Sequence, residues 1–165
     1  MGYYNPLLAY GEEQVAKEAA EVGVNGFIVV DLPPEHAHSF ITYCDKYSLG
    51  YIPLVAPTTD DSRFTLINQV ARGFIYCVSV TGVTGARTSL PVDLTEFTQR
   101  VRQHVDKDKY IAVGFGISNR EQAIQVGAIA DGVVMGSAVI RAIESGNVEG
   151  MSTFLTNVIP PKTIL

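Results

Sequence analysis

Three stretches rich in glycine and hydroxyl groups carry the residues best suited to chemistry. They are Thr81-Gly82-Val83-Thr84-Gly85, then Gly114-Phe115-Gly116 with Ser118 close behind, then Gly136-Ser137. Each follows an apolar run: FIYCV, YIAV and GVVM. Glycine lets backbone N–H groups approach an anion closely and the hydroxyls add donors, so such a loop at the end of a strand suits a phosphate group. A single loop of this kind serves equally as turn chemistry or tight helix–sheet packing. Three in succession point to a shared phosphate site. Ser137 falls at the very start of a helix, where capping and anion binding use the same N–H groups.

Other reactive residue types point elsewhere. His36 and His38 stand about 200° apart around a helix, so they read as solvated side chains rather than a metal pair, as does His104. Cys44 and Cys77 lack CxxC spacing and read as reduced core thiols. Glu12-Glu13 and Asp60-Asp61 are paired acids, but each pair opens a helix, where negative charge complements the dipole. By residue type alone, Tyr3 and Tyr76 are core aromatics, and Asp31 before two prolines is a turn aspartate or a functional one.

The elements that must position these residues are short. The chain has 165 residues, 47% of them hydrophobic, enough for one domain with a real core. A formal charge of -5 without a lysine or arginine cluster argues against a nucleic-acid or anionic-membrane surface. No apolar run approaches the roughly 20 residues of a membrane span, and the start has neither a signal nor a transit pattern, so a cytoplasmic location is expected.

Residues 1–4 look strand-like, with Asn5-Pro6 turning the chain out. A helix is expected over 12–22, with Val15, Ala19 and Val22 on its inner face and Gly23 closing it. GFIVV at 26–30 is a strand of the type buried on both sides, and the double proline after Asp31-Leu32 begins a helix over 35–47. YIPLV at 51–55 is a strand broken by Pro53. Thr59 or Asp60 caps a helix reaching Arg72, and the strand at 74–79 follows. Residues 87–92 form a polar connection, and Asp93 with Glu96 has the form of a capping box for a helix over 94–105. After the strand at 110–113, Ser118 with Glu121 forms another for a helix over 119–126. A strand at 132–135, a helix at 137–144 and a short helix at 151–158 complete the series, which Pro160-Pro161 ends.

A short apolar strand, a loop and an amphipathic helix, repeated about six times with no hairpin signal, indicate right-handed βα units and a parallel sheet. A flavodoxin-like sheet carries its phosphate loop near the first strand, whereas a (β/α) barrel holds phosphate around its last strands, as here. The expected fold is α/β, a TIM-type barrel that is incomplete, with about six of eight units. Residues 1–158 make the barrel domain and 159–165 a tail or linker. Other phosphate-binding barrels, such as sugar-phosphate isomerases, need a base at a strand end, and no glutamate here occupies one.

In order along the chain, MGYYNPLLAYG, VVDLPPEH, PLVAPTT, GFIYCVSVTGVTGA, VGFGIS and ADGVVMGSAV resemble the tryptophan synthase α subunit, the indole-3-glycerol-phosphate lyase barrel. DLPPE and PLVAPTT are more similar to fungal-type sequences, in which the α part is fused ahead of a pyridoxal-phosphate β part. The resemblance implies that Thr84, Gly85, Gly114, Gly116, Gly136 and Ser137 hold the glycerol phosphate. It also implies that Tyr3, Tyr76 and Phe115 surround the indole, and that Asp31 helps order the loop carrying Thr84. Asn5 and Pro6 match the face that meets the β subunit. The α barrel needs no cofactor, since pyridoxal phosphate belongs to the β subunit or domain. The resemblance further implies that the first two of the eight units are the ones missing, and that the family's acid/base glutamate and aspartate match positions ahead of Met1. The activity the resemblance implies is cleavage of indole-3-glycerol phosphate to indole and glyceraldehyde 3-phosphate. The alternative is an inactive barrel fragment that keeps phosphate binding or a partner surface and self-associates through open sheet edges.

Overall fold

The computed structural model describes residues 1–78, 94–114 and 116–159. Six parallel strand segments form its frame. Gly2 bridges Val29, and β1 (Gly26–Phe27) pairs with β2 (Gly50–Tyr51). β3 (Leu54–Val55) pairs with β4 (Phe74–Val78), followed by β5 (Tyr110–Gly114) and β6 (Gly132–Val134). β2 and β3 are the two halves of the segment that Pro53 divides. The first faces β1, where Ile52 N donates to Phe27 O at 3.0 Å, and the second faces β4, where Tyr76 N donates to Pro53 O at 3.0 Å. The proline, with no N–H of its own, sits where the chain hands its pairing from one neighbour to the other.

Helices join these strands. α1 (Tyr4–Tyr10) and α2 (Glu12–Glu21) precede β1, α3 (His38–Lys46) precedes β2, and α4 (Phe64–Val70) precedes β4. α5 (Leu94–His104), α6 (Arg120–Gly127) and α7 (Ser137–Val158) complete the chain. They cover one face of the sheet. Val55, Ile75, Cys77, Ile111 and Val113 point outward from the strands and meet Phe64, Ile67, Phe97, Val101 and Val126 from the helices. A second cluster sets Ala16, Phe40, Ile41 and Cys44 against Val29 and Tyr51. Both cysteines are buried and free, and burial pushes each thiol up to about 12, so they are inert.

Strand alternation sends Leu54, Phe74, Tyr76, Val78, Ala112 and Gly114 to the opposite, inner face. There Leu54, Phe74 and Val78 are only half-buried, and Tyr110 at the head of β5 is 66% exposed. An α/β fold with a covered outer face and a partly open inner one is a partial (β/α) barrel.

Several local expectations need correction. The chain does not turn out of a strand at Asn5-Pro6: Gly2 makes one bridge, and both residues lie in the first turn of α1, which proline tolerates. Val22 is 80% exposed rather than on the inner face, because α2 ends at Glu21 and Gly23 takes a φ of 85°. The stretch 26–30 is not buried on both sides, since only Val29 is buried. The helix over 35–47 divides into a 3-10 turn at Pro34–His36 and α3. The helix before Arg72 likewise divides into a 3-10 turn at Asp61–Arg63 and α4, with Asp60 accepting from Ser62 N. Thr59 does not cap it; its Oγ1 accepts from Ala56 N at 2.9 Å. His104 is not simply solvated, because its ring stacks on Phe64 at 5.2 Å. The polar connection at 87–92 and Asp93 of the first capping box lie outside the described residues.

Candidate functional site

In a parallel sheet all strands end on the same side, so the segments after β1, β3, β5 and β6 gather at one rim. Asp31 stands there at the end of the β1 segment, and its Oδ1 accepts from Tyr4 N at 2.7 Å. The N-cap residue of α1, Tyr3, has no capping side chain, so Asp31 supplies the acceptor from 27 residues away. Tyr3 itself is 65% exposed beside it. Tyr51 holds the same rim from below: its buried hydroxyl donates to Leu32 O at 2.7 Å, and burial pushes its pKa up to about 12.

A cleft of about 380 Å³ opens between these segments, lined by Val30, Asp31, Leu54, Thr58, Arg63 and Val78 among others. Arg63 grips Glu35 with two bonds of 2.7 Å across its edge and holds that carboxyl below its ordinary value of 4.5, against a smaller cost of burial. Arg100 on α5 fixes the far wall, its Nη2 donating to Pro57 O at 2.9 Å and Thr59 O at 3.1 Å. The Arg63–Glu35 and Arg100 contacts join residues 28 to 43 positions apart, and nothing in the sequence pairs them.

Tyr76 and Gly114 meet on the inner face. A Cβ on Gly114 would stand 2.6 Å from Tyr76 Cε2 and 2.7 Å from its Cζ, so only glycine lets the phenol lie across β5. Gly114 thus has a packing role whatever else it does. Gly116 follows with a φ of 87°, a conformation that side chains rarely adopt. Gly136 and Ser137 are both exposed at the head of α7, and a Cβ on Gly136 would meet nothing within 4 Å. Gly136, not Ser137, is the N-cap, so Ser137 is the first helical residue. Thr84, Gly85 and Phe115 lie outside the described residues.

Among the described residues, the carboxylates near this rim each have a partner. Asp31 serves Tyr4 N, Glu35 serves Arg63, Asp60 caps Ser62 N, and Asp61 lies 3.7 Å from Arg100 and 3.6 Å from His104. Glu12 and Glu13, at the start of α2, accept from Tyr4 and Ser39 and from Lys46, respectively. Among the described residues no group of histidine, cysteine or acidic side chains could hold a metal ion, and no helix is long and apolar enough to cross a membrane.

Parallel βα units with glycine-rich turns at the ends of the last strands define a partial α/β barrel. Residues 1–159 match the family model for the tryptophan synthase alpha chain, and the chain belongs to that family. It is 51% identical over 140 residues to the tryptophan synthase of Saccharomyces cerevisiae, a match covering 85% of this chain and 20% of the yeast protein. To the alpha chain of Geobacter sulfurreducens it is 46% identical over 144 residues, 87% of this chain and 54% of that one. Mycobacterium tuberculosis tryptophan synthase superposes with a TM-score of 0.84 at 34% identity, over 94% of this chain and 58% of that one. A chain of the Pyrococcus furiosus tryptophan synthase a2b2 complex does so with a TM-score of 0.80 at 35% identity, over 94% and 62%. The chain therefore spans a fifth of the yeast protein and 54–62% of the other three chains.

Proposed function

We propose that this chain acts in tryptophan biosynthesis as the substrate-binding part of an indole-3-glycerol-phosphate lyase. The observation that carries this reading is the rim itself: in a member of this family, Gly116 and Gly136-Ser137 end adjacent strands, with Tyr76 lying across the inner face beneath them. The phosphate would take the N–H groups at Gly116 and at the head of α7, joined by Thr84 and Gly85, while Tyr3, Tyr76 and Phe115 border the indole. Asp31, by holding the start of α1, keeps the rim in order. Asn5 and Pro6, exposed on α1, would face a β subunit or fused β domain.

The reaction breaks the carbon–carbon bond between indole C3 and the glycerol-phosphate chain. A proton must reach C3 and another must leave the adjoining hydroxyl, giving indole and glyceraldehyde 3-phosphate with no cofactor. Both transfers need carboxylates free to move protons, and a lost general acid or base costs about 10²–10⁴-fold. The engaged carboxylates of the rim favour a second reading, in which the described residues bind substrate and the proton-transfer groups come from elsewhere.

Calorimetric titration with indole-propanol phosphate, paired with an indole-release assay with and without β subunit, tests both readings. Wild type should bind. Gly136→Leu should fold, since the position is open and its φ is −102°, but lose tenfold to a hundredfold in affinity per charge-assisted bond removed. Release of indole supports the full lyase, and binding without release supports the second reading. Equal affinity in two equally folded proteins would overturn the phosphate role of this turn.

A further inference from the structure

α7 is one helical run of 22 residues, and neither one straight helix nor the two separate helices its sequence suggests. Ala142 and Gly150 would stand about 12 Å apart along a straight helix rising 1.5 Å per residue. Yet a Cβ on Gly150 would lie 2.6 Å from the Ala142 carbonyl oxygen. The helix folds back between these residues, and its two arms touch backbone to backbone at Gly150. Arg141 and Ser145 on one arm, with Thr153 and Asn157 on the other, line a single groove of about 460 Å³. Ser145 Oγ donates to Ala142 O at 3.3 Å just before the bend.

The far arm is a fixed platform. Val158 is buried, Phe154 packs on the same core, and Arg120 Nη1 on α6 donates to Asn157 O at 2.7 Å and Ile159 O at 3.1 Å. Those carbonyls belong to a helix end and would otherwise lack donors. The near arm begins at Ser137, with Met135 and the N-cap Gly136 linking it to β6, and buries Ala138 in its first turn. Its direction is therefore set at two places: where it leaves β6, and where Ala142 rests on Gly150.

We infer that Gly150 is a positioning residue for the anion site at Gly136-Ser137. By lacking a side chain it lets the arms of α7 close, and that closure aims the N–H groups of the first turn. The inference rests on the phosphate reading above. An added methyl at Gly150 must part the arms by about 0.8 Å, the difference between 2.6 Å and the 3.4 Å at which ordinary contact begins. Misplacement on this scale is enough to cost up to about 10²-fold where donors must meet a ligand in fixed geometry.

Glycerol 3-phosphate is the probe, titrated by calorimetry into wild type, Gly150→Ala, Gly136→Leu and Thr153→Ala, each checked by circular dichroism. Thr153→Ala alters the same groove without touching the backbone contact and should bind as wild type does. Gly150→Ala should lose about tenfold while remaining folded. A second measurement does not depend on that variant folding: spin labels at Ser145→Cys and Thr153→Cys in the otherwise unaltered chain report the spacing of the arms. Because coupling is reciprocal, saturating glycerol 3-phosphate should narrow that spacing distribution. If wild type fails to bind, the phosphate reading fails and the inference falls with it. If wild type binds and Gly136→Leu does not, but folded Gly150→Ala binds equally well or the arm spacing ignores ligand, the inference alone is overturned.

Discussion

At the scale of single residues, the glycines of the rim were legible in the sequence as a group but not in their separate jobs. Composition alone assigns Gly114, Gly116 and Gly136 to one phosphate chemistry. The structure separates their geometry: Gly114 lies under the Tyr76 ring, Gly116 has a φ of 87°, and Gly136 is open to solvent. The difference depends on a cross-strand neighbour, since Tyr76 and Gly114 stand on adjacent strands 38 positions apart, and sequence spacing carries no such register. The contact gives a direct test. Gly114→Ala should destabilise the fold by about 1–3 kcal/mol through overpacking, read as a lower urea midpoint. Tyr76→Phe should not relieve it, because the ring carbons Cε2 and Cζ are themselves too close. Gly114→Ala with Tyr76→Leu removes those atoms, so the double variant should lose less than the sum of the single ones, by about 0.5–3 kcal/mol of coupling. Simple additivity would mean that the ring does not occupy that place in solution.

At the scale of elements, the order of strands and helices from β1 onward was legible, because an apolar run of about five residues followed by an amphipathic stretch leaves few alternatives, whereas α1, over Tyr4–Tyr10, was not. Termini were less so. The Ser118 and Glu121 capping box is displaced by one residue: Asn119 caps α6 by accepting from Gln122 N at 2.9 Å, and Gln122 Oε1 accepts from Ser118 N at 2.8 Å. Serine and asparagine cap about equally well, so neighbouring candidates compete and tertiary packing decides. Ties between distant elements were not legible at all. Glu13 with Lys46, Glu35 with Arg63 and Asp131 with Arg102 each join separate elements. Hydrogen bonds from Lys46 and from Arg63 hold Glu13 and Glu35 below 4.5. For Asp131 burial pulls upward, but Arg102 and Ile111 N hold it below 3.8. A folded-state value below the unfolded one adds stability above the ordinary pKa and loses it as pH falls, since the unfolded chain takes up the proton first. The urea midpoint should therefore stay level from neutral pH down to about 5 and fall below about 4.5, modestly, because these side chains are 38–48% exposed and screened. A midpoint unchanged down to pH 3 would show that the three ties add nothing.

At the scale of the whole molecule, the partial barrel was legible because six βα units fall short of the eight that closure requires. What the units leave uncovered shows only in three dimensions. The outer face is packed under helices, while Leu54, Phe74 and Val78 are half-buried on the inner face and Tyr110 stands 66% exposed. Among the described residues β6 pairs only with β5, so its far edge presents unpaired backbone donors and acceptors. An apolar face beside an open edge recruits another strand, and barrels avoid this only by closing. Sedimentation across the micromolar range should accordingly show association that grows with concentration. Val134→Lys places a charge on that edge strand at a half-buried position, so it should shift the distribution toward monomer while leaving the helical circular dichroism signal intact. A sharp monomer boundary at every concentration in the wild-type chain would mean that the inner face and the β6 edge are covered from within, and the proposed self-association would then be wrong.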